Sequence, residues 1–212
     1  GTTAVLQQIT RIGKTGAIAI DGWYGVDWKS IAEQLKNCYD EQGIPVEMVH
    51  AYTLYQSDEK ISAYQKTYET EDPSFGWVNS DGVLLDIMDG DKLDALRTHI
   101  ASNTAAGTAT VVYGPGAAIA PVQDVYAAVF YADFTMQPML WKMWDGKLEP
   151  FGSQSPVPDY YWKKYYYNDF YLLYRQKKVV FQVMDYYIDA VHSDNLKMLS
   201  ASAYNEIIDE AV

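Results

Sequence analysis

Short apolar runs alternate with amphipathic stretches along most of the chain. Residues 17–20 form an apolar run between glycines, which predicts a buried strand over 17–21. Asp27 is placed to cap a helix that follows, and Gly43 is placed to end it. The apolar side chains of this helix recur at helical spacing on one face: Trp28, Ile31, Ala32, Leu35 and Tyr39. The pattern therefore predicts a strand–turn–helix unit.

The same alternation predicts the remaining elements. Further strands are expected at 46–55, within 108–120, and at 126–133, 185–191 and 196–201. Helices are expected at 2–9, 58–69, near 91–101, within 134–146, over most of 160–184, and at 202–212. Strands that alternate with helices predict an α/β domain with a parallel sheet and helices on both faces. We expect a single domain over residues 1–212, with Gly1 as the remnant of a cleaved tag.

The composition narrows the classes of partner. The formal charge is −12, which argues against nucleic acid and against an anionic membrane surface. No apolar run approaches the ~20 residues that span a bilayer. The single cysteine, Cys38, excludes an internal disulfide framework and favours a reducing cytoplasm.

The turn after the first strand has the order of a phosphate-binding loop. Such a loop needs glycines, a helix N-terminus, a lysine and a hydroxyl that binds magnesium. Gly22, Gly25, Lys29 and Ser30 supply these residue types, and we take them as candidate anion-binding residues.

The spacing of this candidate loop is broken. Counted from Gly22, the second glycine position holds Asp27 and the lysine position holds Trp28. An indole would block the approach of a phosphate to the backbone, and an aspartate would repel it. A strand–turn–helix junction with a packed Trp28 is the alternative to nucleotide binding, and Lys29 should then be exposed.

Several segments resemble known families. "IAIDG" followed by "WKSIAEQL" resembles the opening of the uridine kinase and cytidylate kinase families. "IAIDGWYGVDWKS", "ATVVYGPGAA", "YYYNDFYLLYRQKK" and "MDYYIDA" resemble the N-terminal kinase-like region that precedes the cupin of some bacterial class I mannose-6-phosphate isomerase-like proteins. The resemblance extends over most of residues 12–212.

The resemblance implies a P-loop kinase-like three-layer sandwich, with an isomerase half beyond Val212. That downstream cupin would bind zinc through His and Glu. In this domain we expect no metal and no cofactor, because its three histidines are far apart and form no paired ligand motif.

Other candidates follow later strands. Gly114 and Gly116 form a second glycine turn that could approach a ligand, or an ordinary tight turn. Asp133 and Asp58 are weak catalytic candidates, because an aspartate that follows a strand is more often a helix cap.

The segment 163–178 carries five cations against one acid, Asp169. Kinases of this type close a basic lid over the transferred phosphate from a similar place in the chain. Arg175, Lys177 and Lys178 are therefore candidate anion-binding residues, although a solvated helix face explains scattered lysines equally well.

Three functions remain open at this stage. The first is an accessory kinase-like domain of a mannose-6-phosphate isomerase, which binds a sugar phosphate or another anion. The second is an active ATP-dependent kinase of a nucleoside or sugar. The third is a structural or assembly domain. The expected partners are a sugar phosphate or nucleotide and the downstream cupin, and a homo-oligomer is left open.

Overall fold

The computed structural model describes residues 1–153, 155–158 and 162–211, and the part described contains eight α-helices and six strands. In chain order these are α1 (Thr2–Ile12), β1 (Ala17–Gly22), α2 (Trp28–Glu41), β2 (Val46–His50), α3 (Asp58–Lys66), α4 (Gly90–Ala105), β3 (Ala109–Tyr113), β4 (Ala128–Asp133), α5 (Met136–Trp144), α6 (Trp162–Lys164), α7 (Phe170–Val180), β5 (Tyr186–Asp189), β6 (Lys197–Ser200) and α8 (Ala201–Ala211). A π-helical turn, Tyr165–Asp169, joins α6 to α7. Within these ranges no helix is long and apolar enough to cross a membrane.

The six strands form one sheet in the order β2-β3-β1-β4-β5-β6. The first five strands are parallel to one another, and β6 pairs with β5 in the antiparallel sense. β1 lies near the centre of the sheet, between β3 and β4, and the carboxyl ends of these three parallel strands lie side by side. The first turn, residues 22–27, therefore leaves the sheet from the middle of its carboxyl edge.

Helices cover both faces of the sheet. Every residue of β1 is buried, which requires a layer on each side. Ile18 faces α2, because a Cβ placed on Gly13 would contact both the Ile18 side chain and the Tyr39 hydroxyl of α2. Asp21, of opposite parity along the strand, faces α7 and accepts a hydrogen bond from Gln176 at 2.8 Å. The predicted α/β architecture with helices on both faces is confirmed.

The α2 helix follows the sequence prediction closely. The Asp27 carboxylate accepts a hydrogen bond from the Ser30 amide at 3.2 Å and so caps the helix. All five side chains of the predicted apolar face are buried, and Cys38 joins them. The periodic pattern and the cap together determine where this helix begins and which face it buries.

Two expectations about strands need correction. The stretch 46–55 is not one strand, because β2 ends at His50 and a 3₁₀ turn follows at Ala51–Leu54. The sheet is not parallel throughout, because only residues 190–196 join β5 to β6. A parallel pair needs a crossover of a dozen or more residues, so this short connection gives an antiparallel pair.

Helix bounds also differ from the expectations. The first helix runs on to Ile12, and α3 ends at Lys66 rather than at residue 69. The long helix expected over 160–184 is described from Trp162 to Val180. Residues 160 and 161 of that prediction, and Val212 of the last helix, lie outside the described residues.

Candidate functional site

Two aromatic side chains of the first turn, and that of Trp28 at the start of α2, fill the space at this turn. Trp23, Tyr24 and Trp28 are only 5–6% exposed. The Trp28 indole N–H donates to the Trp23 carbonyl at 3.1 Å, so the ring folds back across the turn. The cavity between Tyr24, Trp28 and the end of β2 at His50 has a volume of only about 30 Å³, room for a few water molecules at most.

The backbone amides of the first turn bond to oxygens of the chain itself. The Trp23 amide donates to Ala132 O at 3.4 Å, and the Val26 amide donates to Trp23 O at 3.2 Å. The Trp28 amide donates to Val26 O at 2.9 Å. At the start of α2, the Asp27 carboxylate occupies the helix N-terminus. These donors are therefore not pointed at a common anion.

The four candidate residues of the first turn have different surroundings. A Cβ on Gly22 would collide with the Ala132 carbonyl, and one on Gly25 would meet the Phe134 ring, so both glycines allow close packing. Lys29 is exposed. Ser30 is half-buried, and its hydroxyl accepts from Gln34. Anion binding by these four residues, of which Lys29 and Ser30 lie in the first turn of α2, stays a prediction.

A lysine from another helix reaches the first turn. Lys142 of α5 donates from Nζ to the Gly25 carbonyl at 2.8 Å, and its ammonium lies 5.2 Å from the centre of the Phe134 ring. Burial lowers the pKa of Lys142, and the carboxylates of Asp27 and Glu149 act in the opposite direction. Lys142 therefore binds the outer side of the turn.

Asp21 is a fully buried carboxylate at the end of β1. It accepts backbone N–H groups from Gly116 and Ala118, each at 3.0 Å, and the side-chain amide of Gln176 at 2.8 Å. The Gly22 amide adds a fourth bond at 2.6 Å. Burial raises the pKa of the Asp21 carboxyl to about 6, against the opposing effect of these hydrogen bonds.

The second turn, residues 114–118, lies next to the first and contains two candidate residues. Gly114 and Gly116 have φ values of +110° and +79°, a backbone conformation that residues other than glycine rarely adopt. Tyr55 donates to the Pro115 carbonyl at 2.7 Å and Tyr126 to the Ala117 carbonyl at 2.8 Å. The second turn does gather amides around an anion, and that anion is the carboxylate of Asp21.

The candidate cations of α7 contact different parts of the fold. Arg175 donates to the carbonyls of Asn79, Ser80 and Gly82, and so holds the loop 79–82 against the helix. Lys177 pairs with Asp133 at 2.8 Å. Lys178 lies over the Tyr174 ring, 4.4 Å from its centre. Anion binding by these three residues stays a prediction.

Lys163 gives the same segment a buried cation. It is 3% exposed and donates to Thr70 O at 2.9 Å and to Asp72 O at 2.5 Å. A buried ammonium must be hydrogen-bonded to be tolerated, and here backbone carbonyls satisfy it. Much of the basic charge of 163–178 is therefore directed at the loop 70–82.

The two candidate carboxylates have separate hydrogen-bond partners. Asp133 ends β4 and accepts from Lys177 and, at 3.0 Å, from the Tyr187 hydroxyl. Asp133 and Asp189 both line a cleft of about 520 Å³. We name it the β4–β5 cleft. Asp58 is exposed at the start of α3 and accepts from the Tyr52 hydroxyl at 2.6 Å. The structure joins Asp133 to Lys177 but leaves Asp58 outside this group.

Sequence reasoning missed Asp21 and Gln176 as functional candidates. The only local signal for Asp21 is an acidic residue that continues a wholly apolar run at the carboxyl end of a strand. Gln176 carries no signal of its own, because it lies among the cations of α7 and its partner is 155 positions away.

The chain belongs to the family described as Domain of unknown function (DUF8485), whose model matches residues 1–212. No curated protein matches it. Among solved structures, it is similar to a protein from Silicibacter sp. TM1040 described as a fructose transport system kinase, with 11% identity and a TM-score of 0.47, over 68% of this chain and 79% of that one. It is also similar to a protein from Bacillus stearothermophilus described as a possible uridine kinase, with 14% identity and a TM-score of 0.46, over 84% of this chain and 92% of that one. Likenesses this distant carry no information on activity or substrate.

We expect Asp21 to make stability depend on pH. Between pH ~4 and ~6 the folded state keeps the Asp21 proton that the unfolded state has lost, so the free energy of unfolding falls as pH rises. Above pH ~6 this cost is constant. In urea unfolding, the wild-type free energy minus that of Asp21→Asn should drop by about 2–3 kcal/mol from pH 4 to pH 7. A difference that stays flat or grows with pH would contradict this assignment.

We expect Trp28 and Lys29, neighbours on α2, to differ sharply in their effect on stability. Trp28→Ala removes a buried ring and should lower the free energy of unfolding by ~3–5 kcal/mol. Lys29→Ala changes an exposed side chain and should alter it by less than ~0.5 kcal/mol. Urea unfolding at one pH measures both, and similar losses for the two variants would show that the ring is not packed as described.

Proposed function

We propose that this DUF8485 domain is an accessory kinase-like module that does not bind nucleotide at its first turn. The observation that carries the proposal is the position of Trp28. Where a phosphate loop places its lysine, this chain buries an indole that donates to the Trp23 carbonyl. A phosphate at that place would have to displace the ring and meet the Asp27 carboxylate.

The residues present do not fit a magnesium nucleotide. In the phosphate-loop pattern counted from Gly22, the hydroxyl position that would bind magnesium holds Lys29. The adjacent strand β3 ends in Tyr113 and supplies no carboxylate there. The amides of Gly116 and Ala118, which could otherwise bind a phosphate, donate to Asp21. Each of these observations supports an accessory role.

The finer assignments rest on resemblance. We propose that the module accompanies a mannose-6-phosphate isomerase-like cupin, supported by the segments "ATVVYGPGAA" and "MDYYIDA". A sugar phosphate or another anion is the ligand that this resemblance suggests. Lys178, an exposed cation of α7 that contacts the Tyr174 ring, is the cation that we propose for such a site.

An active kinase with a distorted loop is the second candidate. The specific observation in its favour is Lys142, whose ammonium reaches the first turn from α5 and bonds to the Gly25 carbonyl. A lysine from another helix can in principle neutralise phosphates that the loop lysine no longer reaches. This candidate requires the aromatic side chains of the turn to move when nucleotide binds.

We expect calorimetric titration with magnesium-ATP to give no saturable heat, because aromatic side chains fill the first turn. Lys142→Met is the informative variant, since it removes the ammonium group that bonds to the Gly25 carbonyl, and Lys147→Met, an exposed lysine just beyond α5, is its matched control.

A micromolar affinity for magnesium-ATP would overturn the proposed function. If Lys142→Met also weakened that affinity about tenfold or more while Lys147→Met did not, the distorted-loop kinase would replace the accessory module.

A further inference from the structure

A second cleft opens at the carboxyl edge of the sheet, between the first two turns of α2 and the ends of β2 and β3. His50 and Tyr113, the last residues of these strands, are aligned partners and form its floor. The cleft is also lined by Trp28, Lys29, Glu33 and Glu149. We name it the α2 cleft. Its volume of about 340 Å³ falls within the ~300–1,000 Å³ of small-molecule pockets.

The fold leaves the hydrogen-bonding capacity of the polar groups in the α2 cleft open. Within the described ranges, the side chains of Lys29, Glu33, His50, Tyr113 and Glu149 make no hydrogen bond or ion pair with one another or with any other residue. His50 and Tyr113 line the cleft and are half-buried, and within the described ranges their ring nitrogens and hydroxyl have no hydrogen-bond partner. Five unengaged groups of differing chemistry in one concavity are an arrangement suited to a ligand.

The β4–β5 cleft gives the contrast. It is larger, yet its carboxylates are already paired: Asp133 bonds to Lys177 and Tyr187, and Asp189 lies 3.6 Å from Lys197. A ligand there would have to compete with ion pairs. In the α2 cleft it would not.

The aromatic walls of the α2 cleft are held in place. The His50 ring lies 4.9 Å from the Tyr113 ring, and the Tyr52 ring stacks near it at 6.4 Å with an interplanar angle of 13°. The turn at Gly114 packs so closely that a Cβ there would come within 3.1 Å of His50 Nε2. The rings are therefore oriented before any ligand arrives, which reduces the ordering cost of binding.

The charges of the α2 cleft disfavour an anion. The carboxylates of Glu33, Glu149 and the exposed Asp27 outnumber the ammonium groups of Lys29 and Lys142, the second of which interacts with Asp27 and Glu149. Burial lowers the pKa of His50, so its ring is neutral at pH 7 and offers one donor and one acceptor. A phosphorylated ligand would face net negative charge here.

Hydroxyl groups match this set of donors and acceptors. They can donate to the carboxylates of Glu33 and Glu149 and accept from Lys29 and Tyr113. The C–H faces of a small ring can pack on the exposed aromatic surface of His50 and Tyr113. We propose that the α2 cleft binds a neutral polyhydroxylated molecule of monosaccharide size. The α2 cleft shares Trp28 with the first turn, but this proposal requires neither the binding nor the exclusion of nucleotide there.

Histidine ring signals in ¹H–¹³C NMR test the proposal, because the chain has only three histidines. His50→Gln identifies the His50 signal. The neutral probes are D-mannose, D-glucose, D-ribose and myo-inositol. Mannose 6-phosphate and inorganic phosphate are the charged compounds with which they are compared. At least one neutral probe should shift the His50 signal saturably while His99 and His192 stay unmoved.

Variants of α2 locate the binding. Glu33→Gln should weaken the saturable shift about tenfold, the loss of one charge-assisted hydrogen bond. Glu41→Gln is the matched control, an exposed glutamate at the far end of the same helix, and should leave the affinity unchanged.

Three results would overturn the proposal. The first is that no neutral probe shifts the His50 signal at high millimolar concentration. The second is that mannose 6-phosphate binds as tightly as mannose. The third is that Glu33→Gln and Glu41→Gln weaken the affinity for the neutral probe equally. None of these results depends on whether magnesium-ATP binds, so a failure here and a failure of the accessory role can be told apart.

Discussion

The carboxylate of Asp21 is the interaction on which the carboxyl edge of the sheet depends. It joins β1 to the second turn through the amides of Gly116 and Ala118, and it joins both to α7 through Gln176. A carboxylate buried this completely is tolerated only because four donors surround it. The chain thus holds an anion of its own between the end of β1 and the turn that follows β3.

The neighbouring contacts extend the same arrangement. Gln176 and Lys177 are adjacent on α7, and they bond to Asp21 of β1 and Asp133 of β4. Arg175 holds the loop 79–82. The helix α7 is therefore anchored both to the sheet and to a loop. With the first turn filled by aromatic rings, this anchoring leaves the open, unpaired chemistry on the α2 side of the edge.

Local patterns predicted the elements, and distant contacts determined the site. The strand β1 and the helix α2 follow from an apolar run, a cap and a 3.6-residue period, so both were predictable, as was the burial of Trp28. The role of Asp21 was not, because its partners lie 95, 97 and 155 positions away. The reversed direction of β6 was missed for a different reason, since strand patterns carry no sign of direction and only the short connection decides it.

Amide hydrogen exchange at Gly116 and Ala118 tests most directly whether the Asp21 carboxylate occupies the amides of the second turn. If it does, both amides should exchange only through global unfolding, at the same slow rate with and without magnesium-ATP. Fast exchange of these two amides in the native protein, or exchange that slows when magnesium-ATP is added, would contradict the account.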